Sequence, residues 1–246
     1  MSIKVAVVGA TGRMGKLAVE LIEAAQDLEL HAALDSKSEL NQALGADVIF
    51  EVTRLEVSEK VADFAITNGI KLVIGTSGWS SAKLAELQKK ISANPAAVVL
   101  VIPNFSIGSM LASSFAAQAG KFFESIEIVE AHHAGKIDSP SGTAVRTAEM
   151  ISESRKGMIQ PLIPGVGQKA RGEVVAGIPI HSIRLAGVSA KQDVVFGGES
   201  EVLIISHEVS SIRSYVQGIL LSLRTAVASS GLVVGLQSVV DANNKS

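Results

Sequence analysis

The first hundred residues alternate between two hydrophobic periods, and that rhythm restricts the fold more than any single residue does. KVAVVG (4–9) is a continuous, β-branched apolar run, the pattern of a strand buried on both faces. Residues 13–25 then place Met14, Leu17, Ala18, Leu21 and Ile22 on one helical face. Strand patterns recur at LELHAALD (28–35), ADVIFEVT (46–53), KLVIGT (71–76) and AVVLVIPN (97–104), with helical segments near 56–68 and 81–92 between them. Strands separated by helices pair in parallel through right-handed crossovers, which predicts an α/β, doubly wound parallel sheet.

The rhythm changes after IPNFSIGS (102–109). A helix near 109–122, a strand at 125–133 and a helix opening near Ser141 come next. From about 178 the segments IHSIRLAGV, QDVVFGGES and EVLIISHEV alternate in and out, and Gly197-Gly198 supplies a turn. This predicts a second α+β domain with a mixed, largely antiparallel sheet. The Gly-, Pro- and Lys-rich stretch 157–177 reads as a long, mobile loop. A helix near 211–229 and LVVGLQSVV then return to the first domain. The domains are expected at 1–106 with 216–246, and at 107–215.

Composition narrows the partners. Of 246 residues 47% are apolar, enough for sizeable cores, and the net charge is only -2 with no basic block. Nucleic acid and anionic membranes are therefore not expected partners. The chain has no cysteine, which removes disulfides and thiolate metal sites, and a cytoplasmic location fits. The N-terminal apolar run is too short to span a bilayer and flows straight into a glycine motif.

That motif is GATGRMG, with glycines at 9, 12 and 15. It follows a strand and opens a helix, where unpaired amides and the positive dipole end can hold a pyrophosphate. Asp35 ends the second strand, where a carboxylate can accept from ribose hydroxyls and repel a 2′-phosphate. Arg13 and Lys37 offer a counter-charge, so both NADH and NADPH are expected to work, with NADH at least as good. The alternative is a tight turn without a ligand. GTSG (75–78) and IPNF (102–105) end the fourth and fifth strands, either lining the nicotinamide end or serving as ordinary turns. Trp79 either packs near a cofactor or covers a helix.

EAHHAGKIDSPSGTA (130–144) gathers proton carriers and bare amides. His132 and His133 can share a pocket only if the strand ends or bends there, which Ala134-Gly135 permits. Ser139 is the expected N-cap and Pro140 the first helical residue, leaving the amides of Ser141, Gly142 and Thr143 without intrahelical partners. This makes a second anion site, suited to a carboxylate, with His and Lys adding charge and protons. A capped helix beside a surface His pair is the plainer alternative. Metal is not expected, since no cysteine or E-x-x-H pattern accompanies the histidines. His31, His181 and His207 lie in strand-like segments and read as structural.

GATGRMG, GTSG, IPNF and the long E-A-H-H-x-x-K-x-D-x-P-S-G-T-A string together resemble the 4-hydroxy-tetrahydrodipicolinate (formerly dihydrodipicolinate) reductase family, nearly end to end. The resemblance implies a Rossmann-like domain completed by the C-terminal segment, a mixed-sheet domain that builds a homotetramer, and NAD(P)H-dependent reduction of a dicarboxylate cyclic imine in lysine and diaminopimelate synthesis. It implies His132 as catalytic acid/base and Lys136 as a second proton donor. His133, Gly142 and Thr143, beside Ser141, would bind substrate carboxylate. Gly9, Ala10, Thr11, Gly12, Arg13, Met14, Asp35, Gly75, Thr76, Ser77, Ile102, Pro103, Asn104 and Phe105 would contact the cofactor. The departures are Ser77 for a usual Thr, Ile102 for a small residue, Glu51-Val52 for Asp-Phe, and Arg54 for a frequent His. They bear on cofactor affinity and preference. Two other readings are a related amino- or imino-acid dehydrogenase and a non-catalytic NAD(P)H-sensing regulator.

Overall fold

The computed structural model describes residues 2–159, 165 and 167–243, which divide into two compact units, Met1–Ile107 with Ile212–Ser246, and Gly108–Ser211. The first unit begins β1 (Ile3–Val8), α1 (Arg13–Ala24), β2 (Leu28–Leu34), β3 (Val48–Glu51), α2 (Leu55–Asn68), β4 (Lys71–Ile74), α3 (Ser81–Ser92) and β5 (Val98–Val101). Every strand pair among them is parallel. Val5, Val7, Ile49, Phe50, Leu72, Val73 and Leu100 are completely buried, as runs covered on both faces must be. The helices stop and start on local chemistry. Gly69 ends α2 in the left-handed region that glycine adopts without steric cost, and the Ser80 side chain caps α3 by accepting from the Lys83 amide.

The second unit carries α4 (Ile107–Ala119), β6 (Ser125–His132), α5 (Gly142–Ser154), β7 (Glu173–Val175), β8 (Ile178–Arg184), β9 (Ala190–Gly197) and β10 (Val202–Val209). Its sheet runs β10-β9-β6-β8-β7. Ile126, Ile128, Ile180, Val194 and Phe196 on one face pack against Ala116, Ala144, Ala148 and Ile151 from the helices. The strands from 178 onward are not all antiparallel as their alternation suggested. β9 and β10 do form a hairpin, closed where the Gly198 amide donates to Glu201 O, but β8 lies parallel to β6. The cause is β7: it enters at the sheet edge antiparallel to β6, and the tight β7–β8 hairpin at Ala176-Gly177 then reverses the chain, which leaves β8 parallel to β6. The expected loop over 157–177 contains a 3-10 turn, Lys169–Arg171, and strand β7. Its residues 160–164 and 166 lie outside the described residues, and with them that part of the mobility expectation.

The chain then returns to the first unit through a 3-10 turn, α6 (Val216–Ala228), β11 (Gly231–Val234) and α7 (Leu236–Asn243). β11 pairs in parallel with β5, completing a six-stranded sheet in the order β11-β5-β4-β3-β1-β2. α6 approaches so closely that a side chain on Gly218 would overlap the Phe105 carbonyl. Arg224 binds Asp27 through two hydrogen bonds of 2.7 and 2.9 Å. The crossing stands at Ser211/Ile212, ahead of the expected 215/216, because Ile212–Tyr215 form a turn packed on α1. Among the described residues no helix is long and apolar enough to cross a membrane.

Candidate active site

In the first unit, the glycine loop is shaped by contacts that only glycine permits. Gly9 has φ 95°, and a Cβ there would come within 2.7 Å of Val52 O. A Cβ on Gly15 would overlap Gly9 O, so α1 presses directly on the loop. The amides of Gly9 and Ala10 both donate to Leu34 O at 2.9 Å, and that of Gly12 to Gly9 O at 3.0 Å. The first helical amides, Arg13, Met14 and Gly15, come ahead of the first rung from Lys16 to Gly12 and so lack an intrahelical partner. Thr11 lies exposed between them. Loop and helix start together fit a pyrophosphate, and the loop's close packing on Val52 and on α1 excludes any larger residue at 9 or 15. Asp35 follows β2, and its Oδ1 accepts from the Lys37 amide and the Ser38 hydroxyl, each at 2.9 Å. The Lys37 amide first, then Ser38, holds the carboxyl below its ordinary range, so it is ionised at neutral pH.

The ends of β3, β4 and β5 are tied into one rim. Glu51 is completely buried; its Oε1 accepts from the Thr53 amide at 2.7 Å, the Thr76 hydroxyl at 2.9 Å and the Thr53 hydroxyl. Any side chain at Gly75 would come within 2.8 Å of both the Phe105 ring and Val52 Cγ1. Phe105 stacks at a tilt on Phe50, with ring centres 5.5 Å apart. Ile102 and Phe105 have buried side chains, so they offer a ligand their main chain alone, whereas Ser77 and Pro103 are exposed. The Asn104 Oδ1 accepts from the Ser106 amide at 2.9 Å. Trp79 resolves as the cover of a helix: its indole donates to Ser58 on α2 at 3.2 Å.

In the second unit, β6 ends at His132 and the chain turns at once, with the Lys136 amide donating to His133 O at 3.0 Å. The inward parity of β6, Ile126 and Ile128, continues to Glu130, which is completely buried. Glu130 Oε2 lies 2.6 Å from His132 Nδ1. Arg184, at the end of neighbouring β8, grips the same carboxylate with two bonds of 2.9 Å. Burial pushes the Glu130 carboxyl up, but hydrogen bonds from Arg184, Ser182 and His132 outweigh it and hold the group below its ordinary range. Lys136 Nζ binds both oxygens of Asp138 at 2.7 and 2.8 Å, and Arg184 donates to Asp138 O at 2.6 Å. His133 is exposed in the turn.

The helix start differs from expectation by two residues. Ser141, not Ser139, is the N-cap: its side chain accepts from the Ala144 amide at 3.2 Å, and Gly142, not Pro140, is the first helical residue. The Ser139-Pro140 bond is cis. The Ser141 amide is consequently not an open donor, since it bonds Glu130 Oε1 at 3.2 Å. The amides of the first turn are those of Gly142 and Thr143, and a Cβ on Gly142 would meet nothing within 4 Å. Sequence reasoning gave no role to Glu130 or Arg184. The signal was present: each is a charged residue on the core-facing parity of a strand, where burial demands an internal partner. His31 contacts Leu44 O at 2.9 Å and His181 contacts Glu127 at 2.7 Å. Among the described residues no cluster of three or more acidic or histidine side chains is arranged to hold a metal.

The chain matches the family model for the dihydrodipicolinate reductase N-terminus over residues 3–105 and that for its C-terminus over 108–240. It is 53% identical to the 4-hydroxy-tetrahydrodipicolinate reductase of Clavibacter sepedonicus, covering 98% of this chain and 87% of the relative. It is 42% identical to that of Streptomyces griseus, covering 98% and 99%. Dipicolinate-bound dihydrodipicolinate reductase from Paenisporosarcina sp. TG-14 superposes with a TM-score of 0.82 at 32% identity, covering 96% of this chain and 99% of the other. An amine dehydrogenase from Mycobacterium smegmatis shares the fold at a TM-score of 0.64 and 10% identity. Matched in both halves and along nearly its whole length, the chain belongs to the dihydrodipicolinate reductase family.

Proposed function

We propose that this chain reduces 4-hydroxy-tetrahydrodipicolinate to tetrahydrodipicolinate with loss of water, at the expense of NADH or NADPH, within lysine and diaminopimelate synthesis. The observation that carries this reading is the concentration, between Glu130 and Thr143, of a histidine on a buried carboxylate, a lysine and a helix start with a bare glycine. A dicarboxylate ring needs preorganised donors for its anionic groups and a proton source for the density that reduction creates. The Gly142 and Thr143 amides and the Thr143 hydroxyl suit one carboxylate, with His133 adjacent. His132 and Lys136 supply protons and positive charge at the ring. A nucleotide-sensing regulator would have no use for this pair.

The nucleotide is held by the first unit: pyrophosphate at the amides of Arg13 and Met14, ribose at Asp35, and the nicotinamide end at Gly75, Thr76, Ser77 and the main chain of 102–105. When bound, a reduced nicotinamide supplies the hydride. Asp35, ionised, favours NADH over a nucleotide carrying a 2′-phosphate, while Arg13 and Lys37 temper the discrimination. The enzyme works in the cytoplasm as a homotetramer, a reading supported by the apolar residues that the edge strand β10 exposes. Loss of nicotinamide absorbance with freshly generated hydroxy-tetrahydrodipicolinate tests the activity directly. Absence of turnover with both nucleotides would refute it, and a strong preference for NADPH would remove Asp35 from its assigned role.

A further inference from the structure

We propose that buried Glu130, gripped by the half-buried Arg184, is a positioning device for His132: it fixes the imidazole proton on Nδ1 and so makes Nε2 the nitrogen that exchanges a proton with the substrate. The inference rests on the reading above, in which His132 is the acid/base.

Glu130 and His132 are two residues apart on β6, which sets their side chains on the same face. The carboxylate is saturated. Oε2 takes His132 Nδ1 at 2.6 Å and one Arg184 nitrogen at 2.9 Å; Oε1 takes the other Arg184 nitrogen at 2.9 Å and the Ser141 amide at 3.2 Å. An ionised carboxylate only accepts, so at 2.6 Å the nitrogen must be the donor. A bond at one ring nitrogen decides the state of the other. Arg184 keeps the carboxylate charged inside the protein and prevents it from rotating away, because the two-pronged pairing fixes its plane. The same arginine donates to Asp138 O, and Asp138 holds Lys136 Nζ. This one ion pair thereby registers the histidine, the lysine and the α5 start with respect to each other.

A purely structural strut would be replaceable, since a buried ion pair exchanged as a whole for apolar residues of similar volume is often neutral for stability. The discriminating variant is therefore Glu130→Leu with Arg184→Met, which leaves no orphan charge. Protein labelled with 15N-histidine is examined above the titration range of imidazole, with His132→Asn identifying the resonance. The wild type is expected to hold the His132 proton on Nδ1. The double variant is expected to shift it to Nε2, stay folded with a lower thermal midpoint because the Ser141 amide loses its acceptor, and lose about 100-fold in kcat, the scale of general acid–base assistance. KM for NADH should stay within about twofold, because nucleotide binding uses other residues. Nε2–H in the wild type overturns the proposal, as does a folded double variant with near-normal kcat. Should the double variant fail to fold, the wild-type tautomer decides. A wild-type chain that shows Nδ1–H but no turnover of hydroxy-tetrahydrodipicolinate sinks the functional reading while sustaining the geometry. Full turnover with an Nε2–H tautomer sinks this inference alone.

Discussion

His132, Lys136 and Thr143 differ in what each should cost when removed. In the proposed reading His132→Ala and Lys136→Ala delete groups that act in the transition state, so kcat should fall by about 100-fold or more while KM for NADH barely moves. Near-normal turnover in both would remove them from catalysis. Thr143→Val keeps shape and loses a hydroxyl donor, so its main effect should be a raised KM for the dicarboxylate, read from initial rates at saturating NADH. Glu130 has a stability signature as well. Its folded-state carboxyl titrates below the ordinary 4.5, so its contribution is complete above about that pH and disappears as pH falls through the depressed value. Thermal midpoints measured from pH 6 down to 3 should therefore drop more steeply in the wild type than in the Glu130→Leu/Arg184→Met protein. Equal slopes would mean that other carboxylates dominate acid unfolding.

At the level of elements, α5 and α6 show two ways a helix end or face is specified. Ser141→Ala removes the cap of α5 and should cost about 1 kcal/mol in urea unfolding, with a rise in substrate KM as the first turn loosens. Gly218→Ala places a methyl against the Phe105 carbonyl and should destabilise by roughly 1–3 kcal/mol, the range for overpacking. The strands and helices up to β5 were legible because their spacing is local: Val5 to Val8 and Leu17 to Ile22 declare their partners' faces by period alone. What was not legible is what depends on distant residues. Nothing near Ser139 announces that Ser141, seated by Glu130 eleven residues earlier, will begin the helix. Nothing within IHSIRLAGV announces that a hairpin from β7 turns β8 parallel to β6. The strand–glycine loop–helix order was legible in the glycine loop, but which of its amides are already bonded depended on Leu34, an acceptor on another strand. His132 and Lys136 stood out because proton carriers and bare amides cluster within one local string, whereas Arg184, outside that string, did not.

On the scale of the whole molecule, the edge strand β10 leaves Val202, Leu203 and Ile204 at 67%, 37% and 57% exposure, an apolar rim on a sheet with unpaired backbone groups. Light scattering should give a mass about four times the 25.5 kDa chain, and Ile204→Lys should lower it. A monomer at micromolar concentration would exclude the tetramer. The first unit, for its part, is assembled from both termini: β11 and α6 close against β5 and the Phe105 carbonyl, and Gly235 donates to Val101 O at 2.9 Å. During translation, then, the nascent nucleotide-binding half leaves the ribosome with one sheet margin bare and must wait while all of Gly108–Ser211 is synthesised. A premature stop at Ile212 spares the residues of the second unit yet leaves the first unfinished, an aggregation-prone species that chaperones and proteases would meet.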